Sequence, residues 1–377
     1  MAGQVLNPFV IGKYLSKDYF CDREQETAFM VKQIRNGRNV TLIADRRIGK
    51  SGLISHVLSQ PEIEKQFYTI VVDLYSTGTL SEMVHVFSNE VYRSVKRQSQ
   101  SWFDKFFQIL SSLRVGFKMD VLTGAPTFDI GIGDISSPEM TLDQLFDYLE
   151  LADKPCVVVF DEFQQIANYP EKNIEALLRT YIQRCKKTQF IFLGSRKHMM
   201  TQMFLSPSKP FYQSTINTGL DPIPRDTYVA FAQRMFGLGD KQVTSDAVEQ
   251  VYDLCRGVTW YMQMLLNEMF TLTMPNNICN VDSIEEALRN VIQIQEPFFR
   301  EILAALPTKQ KSLLFAIVKE RKVENITSGG FVQKYKLVSA SSVQSALKGL
   351  VEKDLVIEQD GIWRVYDIFL ENYLLSK

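Results

Sequence analysis

The sequence has few cysteines and histidines, and they do not cluster. The five cysteines are an odd number without a CxxC pair, which excludes the disulfide framework of small secreted proteins and argues against a zinc site. The three histidines are His56, His85 and His198, and they stand too far apart to suggest a metal ligand set or a Ser-His triad. These absences favour a protein of the reducing cytoplasm.

Long apolar runs and an excess of one charge are also missing. No stretch of about 18 uncharged apolar residues occurs, and the first residues lack a basic region followed by an apolar core, so we expect neither a membrane span nor a secretion signal. The 377 residues carry 42 Lys and Arg against 43 Asp and Glu, a formal net charge of −1. That balance excludes a protein that binds nucleic acid as a global polycation.

Hydrophobic residues make up 45% of the chain, enough for two or three cores, and their continuous runs predict an α/β fold with a parallel sheet. Strands are expected at Asn39–Ile43, Phe67–Leu74, Cys156–Phe160 and Phe190–Leu193, with helical patterns between them. Because apolar residues in these runs do not alternate with polar ones, both faces of each strand should be covered by helices.

An insertion at about residues 78–140 separates the second strand from the third. It holds two helical patterns and a hairpin with its turn at Thr123–Pro126. The hairpin is either a partner-docking element or a decoration packed on the sheet edge.

Aromatic residues at 102, 103, 106 and 107 follow the basic stretch Arg93–Arg97, and they predict either the apolar stripe of a helix or a stacking groove for single-stranded nucleic acid.

The hydrophobic pattern changes twice along the rest of the chain, which predicts three domains. We expect a core over residues 1–220, a small helical domain over 221–306 and a third domain over 307–377. In the last segment the order is three helical patterns followed by the strands Leu355–Ile357 and Ile362–Val365 around the turn Asp360-Gly361. This order is typical of a winged helix.

The predicted winged helix is mildly basic. Residues 307–377 hold eleven Lys and Arg against eight Asp and Glu, a net charge of +3. Its expected recognition helix carries small polar residues and one lysine but no arginine, the residue that most often reads guanine. DNA and a protein partner are therefore equally compatible with it. The polar positions are Ser341, Ser342, Gln344, Ser345 and Lys348.

A phosphate loop is predicted where the first strand meets a helix. Gly49-Lys50-Ser51 matches the end of the pattern GxxxxGK[ST], in which loop N–H groups and the helix N-terminus hold phosphates. Lys50 would reach the β and γ phosphates, and the Ser51 hydroxyl would complete a Mg²⁺ shell. Ala44 replaces the first glycine, which requires a negative φ there. The residues expected to bind nucleotide are Asp45, Arg46, Arg47, Ile48, Gly49, Lys50, Ser51 and Gly52.

Two later strand ends add candidate catalytic groups. The strand Val157–Phe160 leads into Asp161, which can orient Mg²⁺ through water, and Glu162, which can act as general base toward the attacking water. The strand ending at Gly194 leads into Ser195 and Arg196. Ser195 could hydrogen-bond the γ-phosphate or the water, and Arg196 could supply charge; alternatively, the two are an ordinary loop start.

Together these motifs resemble the archaeal-type ATPase family of AAA+/STAND P-loop proteins. The matching segments extend over nearly the whole chain, although Thr259 stands where the family's lid box has proline. The segments are Tyr19–Glu24, Asp45–Ser51, Asp161-Glu162, Gly194-Ser195, Arg256–Tyr261 and Val365–Phe369.

The resemblance implies a P-loop core with strand order 5-1-4-3-2, a helical lid and a C-terminal winged helix, binding ATP or ADP with Mg²⁺. It places Arg23 near the adenine end of the nucleotide; the alternative is that this segment only caps a helix through Asp22.

The function expected from residues and resemblance is ATP hydrolysis, slow or partner-stimulated, that changes the presentation of the winged helix to DNA or a protein. Two alternatives remain open. One is a nucleotide-binding switch or scaffold with little hydrolysis. The other is a DNA-binding regulator whose homo-oligomeric state is set by nucleotide.

Overall fold

The structure is a computed structural model, and it describes residues 6–99, 102, 106, 118–119, 126–127 and 137–377. The chain forms two compact units. The sheet unit is Gly12–Ile223, and the helical unit combines Met1–Ile11 with Pro224–Lys377. The segments predicted as lid and winged helix thus lie in one unit, and the division at 220 and 306 stays a prediction.

The sheet unit alternates strands with helices. Its strands are β1 (Val40–Ile43), β2 (Tyr68–Asp73), β3 (Lys118–Met119), β4 (Pro126–Thr127), β5 (Cys156–Asp161), β6 (Gln189–Gly194) and β7 (Ile216–Gly219). Its helices are α1 (Glu24–Arg35), α2 (Lys50–Leu58), α3 (Pro61–Glu64), α4 (Leu80–Gln98), α5 (Pro138–Glu150), α6 (Ile174–Arg184) and α7 (Lys197–Leu205), with 3-10 helices at Lys17–Tyr19 and Phe163–Asn168.

Five of these strands make one sheet in the order β2-β5-β6-β1-β7, and every neighbouring pair is parallel. Read from the β7 edge, the five strands follow the order 5-1-4-3-2, so the predicted P-loop fold is confirmed. The sequence did not predict β7, because its residues are mostly exposed and form no apolar run. Since all five strands run in one direction, their carboxyl ends share one edge of the sheet.

The two faces of the sheet belong to two separate cores, which explains the continuous apolar runs. On β5, Val158 and Phe160 face one cluster, whereas Val157 and Val159 face the other. Every one of these side chains is buried on its own face. Full burial of such a side chain contributes about 1.5–3 kcal/mol, so both faces of the strand stabilise the fold.

The insertion is described only in part. Trp102 stacks on the rings of Tyr68 and Tyr148, with centroid distances of 4.4 and 5.0 Å, and Phe106 is also buried. For these two residues the structure supports the apolar stripe over the stacking groove; residues 103 and 107 lie outside the described part. Strands β3 and β4 pair antiparallel, Met119 opposite Pro126, so Pro126 belongs to a strand of the predicted hairpin, whose remainder is not described.

The helical unit contains both the predicted lid and the winged helix. Its helices are α8 (Arg225–Gly237), α9 (Ser245–Leu254), α10 (Thr259–Leu272), α11 (Ser283–Ala305), α12 (Thr308–Glu320), α13 (Gly329–Lys334), α14 (Ala340–Glu352) and α15 (Ile368–Leu375). Its strands are β8 (Gln242–Val243), β9 (Ile278–Cys279), β10 (Val356–Gln359) and β11 (Ile362–Val365).

An N-terminal segment is part of this unit. The ring of Phe9 is fully buried among Phe231, Phe236 and Phe270, with centroid distances of 5.4 to 6.4 Å. The side-chain amide of Asn267 donates to the carbonyl of Phe9 at 2.8 Å. Phe9 is therefore anchored on helices that follow more than 200 residues later in the sequence.

The winged-helix elements are found where the sequence predicts them. Helices α12, α13 and α14 precede the antiparallel hairpin of β10 and β11. Helix α14 begins at a cap in which the Ser339 hydroxyl accepts from the N–H of Ser342. Helix α15 was not predicted. It packs on α11, where the ring of Tyr373 lies 5.5 Å from that of Phe299.

Each helix in the described part of the chain is too short or too polar to span a bilayer.

Candidate nucleotide-binding and hydrolysis site

The predicted phosphate-binding and catalytic residues meet at the carboxyl edge of the sheet. Strand β1 ends at Ile43 and leads into the phosphate loop, β5 ends at Asp161, and β6 ends at Gly194. These strands are neighbours, with β6 between the other two. The sheet order therefore brings together groups that are more than 100 positions apart in the chain.

The phosphate loop has the backbone that a turn from strand to helix needs. Gly49 precedes the first turn of α2 at φ +104°, a conformation that side chains with a Cβ rarely adopt. Ala44, which replaces the first glycine, is not among the described residues with positive φ. Its N–H donates to the carbonyl of Gly194 at 3.2 Å. Ala44 therefore meets the requirement for a negative φ at this position.

Lys50 is buried in the loop, although it carries a charge. Its Nζ donates to the carbonyls of Ala44 at 2.9 Å and Asp45 at 2.7 Å. Burial lowers the pKa of Lys50, and the nearby carboxylates of Glu162 and Asp161 oppose that shift. An ammonium whose hydrogen bonds within the described residues go to carbonyl oxygens is suited to exchange them for a phosphate.

Ser51 and Asp161 form the pair expected to hold the metal. The Ser51 hydroxyl donates to Asp161 Oδ2 at 3.0 Å. Burial raises the pKa of Asp161, whereas the bonds from Ser51 and from the N–H of Glu162 lower it. Both groups offer the oxygen ligands that Mg²⁺ prefers, and few protein ligands suit an ion that keeps water and phosphate oxygens. Within the described residues, no cluster of three His, Cys, Asp or Glu side chains forms an alternative site.

The Glu162 carboxylate is held by two donors. Ser195 Oγ donates to Glu162 Oε2 at 2.7 Å, and the Gln164 side-chain amide donates to the same oxygen. Arg46 Nε in turn donates to Ser195 Oγ at 3.2 Å. The phosphate loop, the end of β5 and the end of β6 are thus joined in one hydrogen-bonded network.

Other predicted site residues have structural partners. Ile48 is buried in the core, and Gly52 lies against the Phe20 ring. Arg196 is the residue before α7, and its Nη1 lies 4.0 Å from Met199 Sδ. Its neighbour Lys197 pairs with Asp45 at 2.9 Å. A role of these residues toward nucleotide stays a prediction.

Arg23 is buried and cross-links its segment. Its guanidinium pairs with Glu26 at 2.7 Å and donates to the carbonyl of Asp221 at 2.7 Å. The residue at the cap of α1 is Arg23 itself, without a side-chain cap bond, so the alternative of a cap by Asp22 is wrong. A place near the adenine stays a prediction.

Gln164 contacts the candidate site, although the sequence did not reveal it. It follows the Asp161-Glu162 pair within an apolar stretch and belongs to no spacing pattern. Only the fold shows that it points back to the carboxylate.

Comparison with protein families finds a match at the C-terminus. Residues 297–376 match the family described as "Probable winged helix domain". The match begins within α11, before the predicted boundary at Pro307. No curated protein matches the chain by sequence.

Comparison with solved structures confirms the fold over nearly the whole chain. The Walker-type ATPase PABY2304 of Pyrococcus abyssi is 17% identical with a TM-score of 0.66, covering 98% of this chain and 99% of its own. The Aeropyrum pernix ORC2 protein in its ADPNP-ADP complexes is 14% identical with a TM-score of 0.62, covering 98% and 95%. The Aeropyrum pernix ORC1 protein in complex with DNA is 14% identical with a TM-score of 0.54, covering 98% and 96%. The resemblance drawn from the sequence holds at the level of the fold.

Proposed function

We propose that this protein is a cytoplasmic Mg-ATP-dependent ATPase that couples hydrolysis to movement of its helical unit, which carries the winged helix. The observation that carries the proposal is the Ser51–Asp161 hydrogen bond beside the Glu162 carboxylate, at the helix N-terminus that follows Gly49. Folds of this type include a protein named as a Walker-type ATPase and one solved with ADPNP and ADP.

Each group has one role in the proposed reaction. The N–H groups of the loop and the first turn of α2 bind the phosphates, and Lys50 neutralises charge on the β and γ groups. Ser51 and Asp161 would hold Mg²⁺, Ser51 as a ligand and Asp161 through water, and the ion when bound would neutralise charge on the phosphate oxygens. Glu162 accepts the proton of the attacking water, and Ser195 holds its carboxylate.

The test is phosphate release with Mg-ATP by the wild type and by Glu162→Gln. We expect the variant to lose hydrolysis by about 100-fold or more, since a positioned base contributes about 10²–10⁴-fold, and to retain nucleotide binding. A matched control is Glu64→Gln, an exposed acid on α3. Near-zero release by both wild type and Glu162→Gln would favour the scaffold with little hydrolysis.

The partner we propose to test first is DNA, through α14. The side chains of Val343, Ala346 and Leu347 face the core, which leaves a polar surface on the helix, and ORC1 of this fold was solved with DNA. The exposed positions on that surface are Ser341, Gln344, Ser345 and Lys348. Small hydroxyl and amide side chains beside one lysine suit contacts to phosphates more than strong base readout.

Salt dependence distinguishes a DNA site from a protein-docking module. Phosphate contacts predict that the association constant falls steeply between 50 and 200 mM salt. Measuring DNA binding at both salt concentrations, with and without ATP, therefore tests the assignment. Absence of binding at low salt in both cases would make the winged helix a protein-interaction module. Sizing the protein with ATP and with ADP tests whether nucleotide sets a homo-oligomeric state.

A further inference from the structure

Gln164 is a buried polar residue whose side-chain amide bonds to the Glu162 carboxylate. It lies on the 3-10 helix Phe163–Asn168, directly after β5, and its side chain is almost fully buried. Its amide nitrogen donates to Glu162 Oε2, whereas its Oε1 has no hydrogen-bond partner among the described residues. An apolar side chain of the same length would avoid the unpaired oxygen but could not donate to the carboxylate.

The Gln164 amide lies next to Gly194. A Cβ built on Gly194 would lie 2.7 Å from Gln164 Oε1 and 2.3 Å from Met200 Cγ. The absence of a side chain at Gly194 therefore creates the space in which the amide lies against the end of β6. The Gln164 amide oxygen and the Met200 side chain therefore share the space beside Gly194.

Two donors from different elements converge on one carboxylate oxygen. Gln164 reaches Glu162 Oε2 from the 3-10 helix, and Ser195 reaches it from the end of β6 at 2.7 Å. Both bonds fall on Oε2, so the rotation of the carboxylate is set and Oε1 is the oxygen left to accept a proton from water. Glu162 itself has a positive φ of 51°, at the point where β5 ends and the 3-10 helix begins.

We propose that Gln164 is a positioning residue for the general base: it fixes the Glu162 carboxylate so that Oε1 faces the attacking water. The inference rests on the proposed function, because it gives Gln164 a role only if Glu162 acts in hydrolysis. It assigns no contact with nucleotide to Gln164. Loss of the amide should therefore lower kcat and leave nucleotide affinity unchanged.

The test replaces Gln164 with methionine, which has similar length and no donor. We expect kcat of Gln164→Met to fall about 10- to 100-fold, because misplacing a catalytic group by about 1 Å can cost as much as about 100-fold. The Kd for Mg-ATP should stay within about twofold of wild type. Gln165→Met is the matched control: it makes the same change one position later, where the amide donates to the carbonyl of Tyr75 instead. Its kcat should remain near wild type.

A double substitution separates positioning from general damage. In the Glu162→Gln background, Gln164→Met should produce no further loss, because the base it positions is already absent. An equal loss in both backgrounds, or a wild-type kcat for Gln164→Met, overturns the inference. If Gln164→Met fails to fold, Gln164→Asn carries the test, since it keeps an amide but withdraws the donor by one bond. Phosphate release by the wild type together with unaffected Gln164 variants refutes only this inference, whereas no release by the wild type refutes the proposed function itself.

Discussion

Arg256 joins the start of the predicted lid helix to the end of the winged helix, and its removal should destabilise the helical unit. The residue lies between α9 and α10, in the left-handed region at φ 54°. Its Nη1 donates to the carbonyl of Val365 at 3.1 Å, and its Nη2 pairs with Glu371 on α15. Glu371 is 4% exposed, and its Oε1 has no hydrogen-bond partner in the described part of the chain.

The expected loss of stability depends on whether Arg256 or Glu371 is the member of the pair that remains. Arg256→Met leaves the buried Glu371 carboxylate without its hydrogen-bonded ion-pair partner, with the charges of Arg321 and Arg364 still acting on it. Loss of one partner costs about 3–5 kcal/mol for a fully buried pair. The Arg256 side chain is 27% exposed, so water screens part of the pair and we expect about 3 kcal/mol. Glu371→Gln removes the buried charge itself and should cost less than Arg256→Met.

The stability loss caused by Arg256→Met should be larger at high pH than at low pH. Burial raises the pKa of Glu371, and Arg256 opposes that shift, so removing Arg256 raises the pKa further. A carboxyl whose pKa is raised on folding favours the folded state below the ordinary glutamate pKa, and this contribution is lost as pH rises through the folded pKa. The difference between Arg256→Met and wild type should therefore be largest near pH 8 and smaller near pH 5.

Urea unfolding followed by tryptophan fluorescence measures this difference. Trp260 and Trp363 belong to the helical unit and report on it. The control is Arg289→Met, whose partner Glu285 lies one turn away on α11 and is exposed with it; its urea midpoint should stay near wild type. A loss below 1 kcal/mol for Arg256→Met, or the same loss at pH 8 and pH 5, would refute the reasoning.

Two further substitutions test local packing and capping. Gly194→Ala should cost about 1–3 kcal/mol by overpacking, because its Cβ would lie 2.3 Å from Met200 Cγ and 2.7 Å from Gln164 Oε1; a urea midpoint equal to wild type would contradict the packing. Ser339→Ala should cost about 1 kcal/mol by removing the cap of α14, and Ser339→Asp should retain most of the stability; equal losses in both variants, measured by the same unfolding assay, would show that the cap bond is not the cause.

The fold was largely predictable because buried strands have a simple pattern in the sequence, a continuous apolar run. Strands covered on both faces give continuous apolar runs, and β1, β5 and β6 were found by this signal. The expectation of two covered faces was wrong for β2, which lies at the sheet edge and exposes Val71. The edge strand β7 is exposed and gives no such run. Helix α15 was missed because its segment was interpreted only as the end of the winged helix.

The candidate site was predictable where its residues follow strands. Lys50, Ser51, Asp161 and Ser195 each come directly after or close to a strand end, and a parallel sheet gathers such positions at one edge. Residues that come into contact only through tertiary packing have no such pattern in the sequence. Arg256 and Glu371 are 115 positions apart, and a single charged residue in each segment suggests no pairing.

The route of the chain between the two units limits how they can move. The backbone crosses from one unit to the other twice, after Ile11 and after Ile223. The first crossing enters the sheet unit at Gly12, with φ +69°, and the second leaves it at Pro224, whose ring fixes φ. Because both crossings are covalent, any motion of one unit has to be accommodated by backbone torsions at both places, and Gly12 has a wider range of φ than Pro224.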